Sequence, residues 1–339
     1  MSGGFSSQAG HAIFRQQAVQ GTFQSDLTTL GIGIKLRSGA LGSDRTLMIP
    51  DPEIGGNRDI ADAYGGPVKW SGDYEFYGRI ESILTLFYSA LGLGSTPATT
   101  TGISTYTLTP SDGAALPFLS IEEQIGSGLE CFNYTDAVIN TFHLEAAADG
   151  YLMGTVGVIA AKQIAGATPT ATNLFDNLPL IPGTNITVTY NSVTVGAKGF
   201  KFDLNNNFED TDFRLGSFYL GSLAPKRREV TASVDIREQD STIWRQAVYG
   251  VSSATAPGGV MTKSALVITI STYENIVGGT PTGPQTLSIT IPKAILKPYN
   301  FTVSGDDIVD DTVEIEAVRP SNATPLLTAV IKTGRATVA

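Results

Sequence analysis

Apolar and polar residues alternate along VKWSGDYEF, with Val68, Trp70, Tyr74 and Phe76 on one face, a period of two that predicts a half-buried strand. The period then changes. YGRIESILTLFYSALG puts Ile80, Ile83, Leu84, Phe87 and Leu91 on one side of a helix, and Gly92 stands where a left-handed cap would end it. The same succession returns later in the chain. VTASVDI alternates Val230, Ala232, Val234 and Ile236, and EQDSTIWRQAVYG brings Ile243, Trp244, Ala247 and Val248 to one side ahead of Gly250.

Behind each helix comes a loop-rich stretch and then a hairpin pattern. FNYTDAVINTFHLEAAADGYLMGTVGVIAAK, starting at Phe132, lies without a gap on ITIPKAILKPYNFTVSGDDIVDDTVEIEAVR, starting at Ile289. Phe132 falls on Ile289, Tyr134 on Ile291, Val138 on Ile295, Phe142 on Tyr299, Val156 on Val313 and Val158 on Ile315. Identity is low, yet the shared order of strand, helix, loop and hairpin predicts a tandem duplication. The expected layout is a first domain over 1–165, a linker over 166–184 rich in Gly, Pro, Thr and Asn, and a second domain over 185–339.

Composition narrows what such a chain can be. With 339 residues, 42% of them apolar, each half can build a core; only 16% are charged, so the surface needs a cover. A membrane is a poor candidate for that cover, because the uncharged run Ser82–Ser111 carries too short an apolar stretch to span one, and the N-terminus shows no export pattern. Other protein subunits are the better one. The net charge of −10 argues against gripping DNA by counterion release, though not against DNA passing close by. Cys131 is the sole cysteine, so no internal disulfide forms; within LECFNY it reads as a small apolar residue of a strand.

Chemistry is thin. The two histidines, His11 and His143, are too few for a histidine-dependent triad or a zinc site, and no nucleophile elbow or phosphate loop is present. His143, between Phe142 and Leu144 in a strand pattern, is expected to face solvent or a neighbour. Asp306, Asp307, Asp310 and Asp311 in SGDDIVDD lack calcium-loop spacing and read as an acidic turn. Lys226, Arg227 and Arg228 are expected to meet carboxylates of another subunit. Trp70 and Trp244 sit on apolar faces and are read as packing residues. No enzyme, no cofactor and no metal site is expected.

One segment is unusual for its length. Arg37–Gly66, RSGALGSDRTLMIPDPEIGGNRDIADAYGG, reads as a long functional loop between two strands, and its apolar residues Leu47, Met48, Ile49, Ile54 and Ile60 need a protein surface to rest on.

These stretches together, LMIPDPEIGGNRDI, VKWSGDYEFYGRIESILTLFYSALG, YTLTPSDGAALPFLSIEEQIG and CFNYTDAVINTFHLEAAADGYLMGTVGVIAAK in the first half, and DTDFRLGSFYLGSLAPKRREVTASVDI with IPKAILKPYNFTVSGDDIVDDTVEIEAV in the second, resemble the tail tube proteins of long-tailed bacteriophages. The resemblance implies a mainly β fold: two tandem β-sandwich tube domains, each with a short flanking helix, whose sheets join those of neighbouring subunits into a β-barrel ring. It implies stacked rings, here trimers with pseudo-hexameric symmetry, forming the conduit through which the genome enters the host. Such a barrel of about 24 strands would have a backbone diameter of roughly 50 Å, wide enough for duplex DNA. Implied partners are further copies of the chain, the tape measure protein, the tail tip and tail terminator proteins, and double-stranded DNA passing without sequence-specific binding. The implied location is the virion tail, after synthesis in the host cytoplasm; length and duplication favour a flexible tail without a sheath. Leu47, Met48, Ile49, Ile54 and Ile60 would then serve ring stacking, and Asp306, Asp307, Asp310, Asp311, Lys226, Arg227 and Arg228 would be candidate lumen or inter-subunit charges. A competing reading is a two-domain β-sandwich adhesin or carbohydrate-binding module, which would need exposed aromatics in a groove.

Overall fold

Strand-forming alternation governs the architecture of the computed structural model, which describes residues 10–51, 53–54, 59–60, 62–95, 97–112, 116–126, 130–170, 175–237, 241–279, 282–301 and 310–338. The first half contains β1 (His11–Gln16), β2 (Ile32–Ile34), β3 (Leu36–Gly39), β4 (Gly42–Met48), β5 (Tyr64–Tyr77), α1 (Ile80–Leu91), β6 (Ile103–Pro110), β7 (Leu119–Ile125), β8 (Glu130–Ala147) and β9 (Met153–Ala165). The second contains β10 (Ile186–Tyr190), β11 (Val193–Val195), β12 (Ala197–Asn205), β13 (Glu229–Arg237), α2 (Thr242–Tyr249), β14 (Ser264–Asn275), β15 (Pro284–Leu296), β16 (Asp310–Ala317) and β17 (Thr328–Thr333). Both helices end on a glycine at φ +88°, Gly92 and Gly250, a backbone state that costs a side-chain-bearing residue strain.

The ladders of the two halves run in the same order. In the first, β2 pairs β1, then β7, β8, β9 and β5 follow, and β5 carries both β3 and β4. In the second, β11 pairs β10, then β14, β15, β16, β13 and β12 follow. Every pairing is antiparallel, and the registers agree with the sequence alignment: Val156 faces Tyr74, and Val313 faces Val234. Alternate residues turn inward, as along Val230, Ala232, Val234 and Ile236 of β13, all buried.

The two sheets are continuous. Thr141–Ala147 of β8 pairs with Gly199–Asn205 of β12, so the second sheet takes over where the first strand has shed β7. A second contact is made by β17, which lies between β15 and β6. Helix α1 packs over the first join: Phe87 stacks on Phe142 of β8 at 4.9 Å and meets Phe202 of β12 edge-on at 5.8 Å.

Two readings of the sequence need correction. Arg37–Gly66 is not a single loop: it holds most of β3, all of β4 and the start of β5, leaving only 49–63 as the connection. The strand β4 escaped notice because every one of its residues is exposed, so GSDRTLM carries no alternation; backbone pairing with β5 alone defines it. The stretch read as a linker is also structured in part. Phe175 bridges Gly33, Leu152 donates to the Ile181 carbonyl at 2.8 Å, and Tyr151 bridges Pro182, which ties 175–182 onto the first half.

Candidate assembly surfaces

Two bulges in β8 prepare the internal join. Against its neighbours, β8 shifts register between Tyr134 and Ala137 and again between Ile139 and Thr141. The second shift frees Asn140, whose carbonyl accepts from the Asn206 amide at 2.8 Å and whose Oδ1 accepts from the Phe208 amide at 2.9 Å. Asn206, buried just past β12, donates its Nδ2 to the carbonyls of Ala90 and Ile139, both at 3.0 Å. Its Oδ1 accepts from Arg228 Nε at 3.0 Å. One side chain thus fastens the end of α1, the bulge of β8 and the second half together. Across the join, His143 meets Asp203 at 2.6 Å and Lys201 meets Glu145 at 3.6 Å, while Glu145 of its own strand lies 3.4 Å from His143. These carboxylates, Asp203 foremost, raise the His143 pKa above its ordinary value despite partial burial.

Against this closed join stand two open borders. In the first half, β3 and β4 pair only with β5 among the described strands, and nearly every residue along them is exposed. In the second half, 298–301 follows β15 outside any strand, at the place that 141–144 occupies in the first half. Trp244 of α2 donates to the Tyr299 carbonyl at 3.1 Å and stacks on Phe301 at 5.0 Å. Trp70 is buried and packs against Tyr219 at 6.1 Å, whereas Trp244 is half-buried.

The hairpin of β4 and β5 carries the apolar residues singled out from the sequence. Leu47 and Met48 end β4 opposite Gly65 and Tyr64, and Ile49, Ile54 and Ile60 belong to the connection; all five are exposed. A second-half loop reaches the same hairpin. The Phe218 carbonyl accepts from the Val68 amide at 2.8 Å, the Arg45 guanidinium lies 5.9 Å from the Phe218 ring, and Lys69 pairs with Asp210. Leu215 and Phe218 of that loop are themselves exposed.

The charged candidates separate. Asp306 and Asp307 lie outside the described residues. Asp310 is bound by Arg237 at 3.1 Å and by Lys198, and these hydrogen bonds hold its carboxyl below the usual range; Asp311 is buried opposite Ile236. Lys226 pairs with Glu209 of its own chain, Arg227 is exposed, and Arg228 also donates to the Ser111 carbonyl at 3.3 Å. The expected meeting of this triplet with another subunit's carboxylates therefore has a rival within the chain at Lys226. With Asp112 and Arg319 the triplet lines an open cavity of about 600 Å3.

Sequence reasoning passed over a buried acidic pair in β7. Glu122 accepts from His11 at 3.0 Å and from the Thr170 amide and hydroxyl, both at 2.8 Å; burial alone would raise its pKa, but these bonds bring it below the ordinary value. Glu123 accepts from Tyr74 at 2.7 Å and from the Leu41 amide at 3.2 Å, and burial leaves its pKa raised. A paired EE inside SIEEQIG interrupts the alternation and was the available signal. Cys131 is buried, and burial first, then Glu122, Glu130 and Glu123, pushes its thiol up to about 11, far from a nucleophile's range. No group of three or more metal-ligating side chains occurs among the described residues, and no helix among them is long and apolar enough to cross a membrane.

The protein family described as phage tail tube protein matches residues 11–317, which spans both halves and the join between them. No curated protein matches the chain.

Proposed function

This chain belongs to the phage tail tube protein family, and on that premise we propose that it builds the tube of a long, flexible, sheathless tail from rings of three copies, each copy supplying two equivalent tube domains. The halves are then a tandem duplication, with domains over 1–165 and 185–339 joined by 166–184. The observation that carries this reading is the repeated ladder together with its internal join. Within the chain, the end of β8 is continued by β12, the second-half counterpart of β3 and β4. The end of β15 and the β3–β4 border are the same two surfaces left over, one on each half, so a next copy completes each. Three repetitions of a two-domain step close a pseudo-sixfold ring.

The apolar rim of Leu47, Met48, Ile49, Ile54 and Ile60 supplies ring-to-ring contact, and the net charge of −10 per copy keeps duplex DNA from adhering as it passes. Other partners are the tape measure, tail tip and tail terminator proteins. The chain performs no catalysis in this role. Native mass spectrometry and averaged electron micrographs test the stoichiometry: rings of three 35.7 kDa copies are expected. Persistent monomers at high concentration, or rings of six copies, would overturn it.

A further inference from the structure

The geometry points to the cavity beside α2 as a socket for the N-terminal segment Met1–Ala9 of a second copy, anchored by Phe5. This inference rests on the ring reading above, and it begins with how the first half treats the corresponding place.

There, the space between β2 and α1 is filled by chain leading into the second half. Phe175 lies on Gly33 so closely that a Cβ at Gly33 would come within 2.9 Å of its ring. Asp176, buried, accepts from the Ser82 amide at 2.7 Å and the Ser82 hydroxyl at 2.9 Å in the first turn of α1. Lys35 donates to Asn177 at 2.7 Å, and Arg79 to the Leu178 carbonyl at 2.8 Å. A short segment thus seals one half while belonging to the next.

The second half has the same walls and a different content. Thr194 faces Thr189 in the β10–β11 ladder as Gly33 faces Ile13 in the β1–β2 ladder. Between that strand and α2 lies a cavity of about 230 Å3 lined by Val193, Val195, Ile236, Ile243 and Gln246. Val193 is 66% exposed, high for a branched apolar residue beside a cavity.

The occupant follows from connectivity. Phe175 and Asp176 precede β10, the first strand of the second half; in a ring of alternating halves, the chain that precedes β1 of the next copy stands in the same relation to α2. That chain is MSGGFSSQA, in which Phe5 is the one aromatic residue and Ser6 follows it as Asp176 follows Phe175. Phe5 precedes Ala12 by seven residues, whereas Phe175 precedes the equivalent Val188 by thirteen, so its reach from β1 is at most about 24 Å. Thr194 in place of Gly33 denies the ring a seat flat on the strand, which leaves the apolar wall of Val193 and Ile243.

The test uses the full chain with Cys131→Ala, Phe5→Cys and Val193→Cys, assembled, oxidised and examined both on a non-reducing gel and by electron microscopy. A disulfide between copies is expected, with bands of two and three chains that drop about tenfold in yield when either new cysteine is omitted. A bond within one chain, or intact rings without any bond, would overturn the socket. If the unsubstituted chain forms no rings in the same micrographs, the ring reading itself fails and the socket falls with it, so the two failures look different. Should the cysteine variant not assemble, Phe5→Ala and Phe5→Leu in the otherwise native chain decide. The alanine variant is expected to need about tenfold more protein for half-assembly, with most of that loss recovered by leucine. Equal assembly of both variants and the native chain would count against the proposal.

Discussion

Helices α1 and α2 hold the same position in two matching ladders, yet one is buried and the other is not. Of the twelve residues of α1, ten are buried; of the eight in α2, only Gln246 and Ala247 are. Propensity does not explain this, since each helix follows a strand and ends on a left-handed glycine. The difference lies in what comes next. The first half has the second half beside it, so α1 is covered by β8, β12 and the 175–182 segment; among the described residues, α2 rests on its own sheet and the short 299–301 stretch. The half-buried helix shows how the buried one would look without its neighbour and, on the ring reading, marks where a further neighbour would belong.

The largest difference between the two helices should come from removing the aromatic stack on each side. Phe87→Ala deletes the ring wedged between Phe142 and Phe202, all three buried, and should cost about 3–5 kcal/mol in urea denaturation of the isolated chain. Phe301→Ala removes the ring stacked on Trp244, but Phe301 is 37% exposed, and the isolated chain should lose less than about 1 kcal/mol. Assembly should show the reverse sensitivity at Phe301. Equal losses at the two sites in the isolated chain would mean that α2 is already as well covered as α1.

A smaller but still large effect is expected at the fastening of the internal join. Asn206→Ala leaves the Ala90 and Ile139 carbonyls without their side-chain donor and removes the acceptor of Arg228. The cost should be about 2–4 kcal/mol, read as a lower denaturation midpoint with an unchanged slope. A drop in slope with two transitions would show instead that the halves separate before either unfolds.

Much of this comparison could be read from the sequence because it depends on side-chain period. β5, α1, β13, α2 and the β8–β9 hairpin each carry an apolar face along the sequence, so alternation or helical spacing marked them, and Gly92 and Gly250 marked the helix ends. β4 could not be read, since a strand with both faces exposed keeps only its backbone pairing. Asn206 was equally silent: an asparagine in LNNNFED looks like turn composition until the bulge at Asn140 comes opposite it. The EE of β7 broke the pattern, but its partners His11, Thr170, Tyr74 and Leu41 come from four remote places in the chain. Contacts fixed by distant segments leave no local period.

The next effect is modest and depends on pH. His143 faces Asp203 from β12 and Glu145 from its own strand, with Lys201 nearby on Glu145. Its raised pKa means that the protonated form binds the join better than the unfolded chain holds it. That stabilisation is fully present below the unfolded value of about 6.5 and is lost as pH rises through the folded value. Because the site is partly exposed, its size should be only about 0.5–1 kcal/mol. Denaturation of the native chain and of His143→Gln at pH 5.5 and 8.5 checks this: the gap between them should be larger at the lower pH, and a gap that widens on raising the pH would reverse the assigned sign.

The least stability change is expected where the tube reading places the greatest functional load. Leu47 and Met48 are 69% and 53% exposed at the end of a strand that covers no core. Replacing both by aspartate should therefore leave the unfolding free energy of the isolated chain within about 0.5 kcal/mol of its original value. The same substitutions place carboxylates at an exposed apolar hairpin end, where ring-to-ring burial would strand them without partners. Rings should still form, because β3 and β4 keep their backbone edge, but stacks of rings should be absent from micrographs. Long tubes from this variant would remove the rim from ring stacking, whereas loss of the rings themselves would move it to the lateral border between copies.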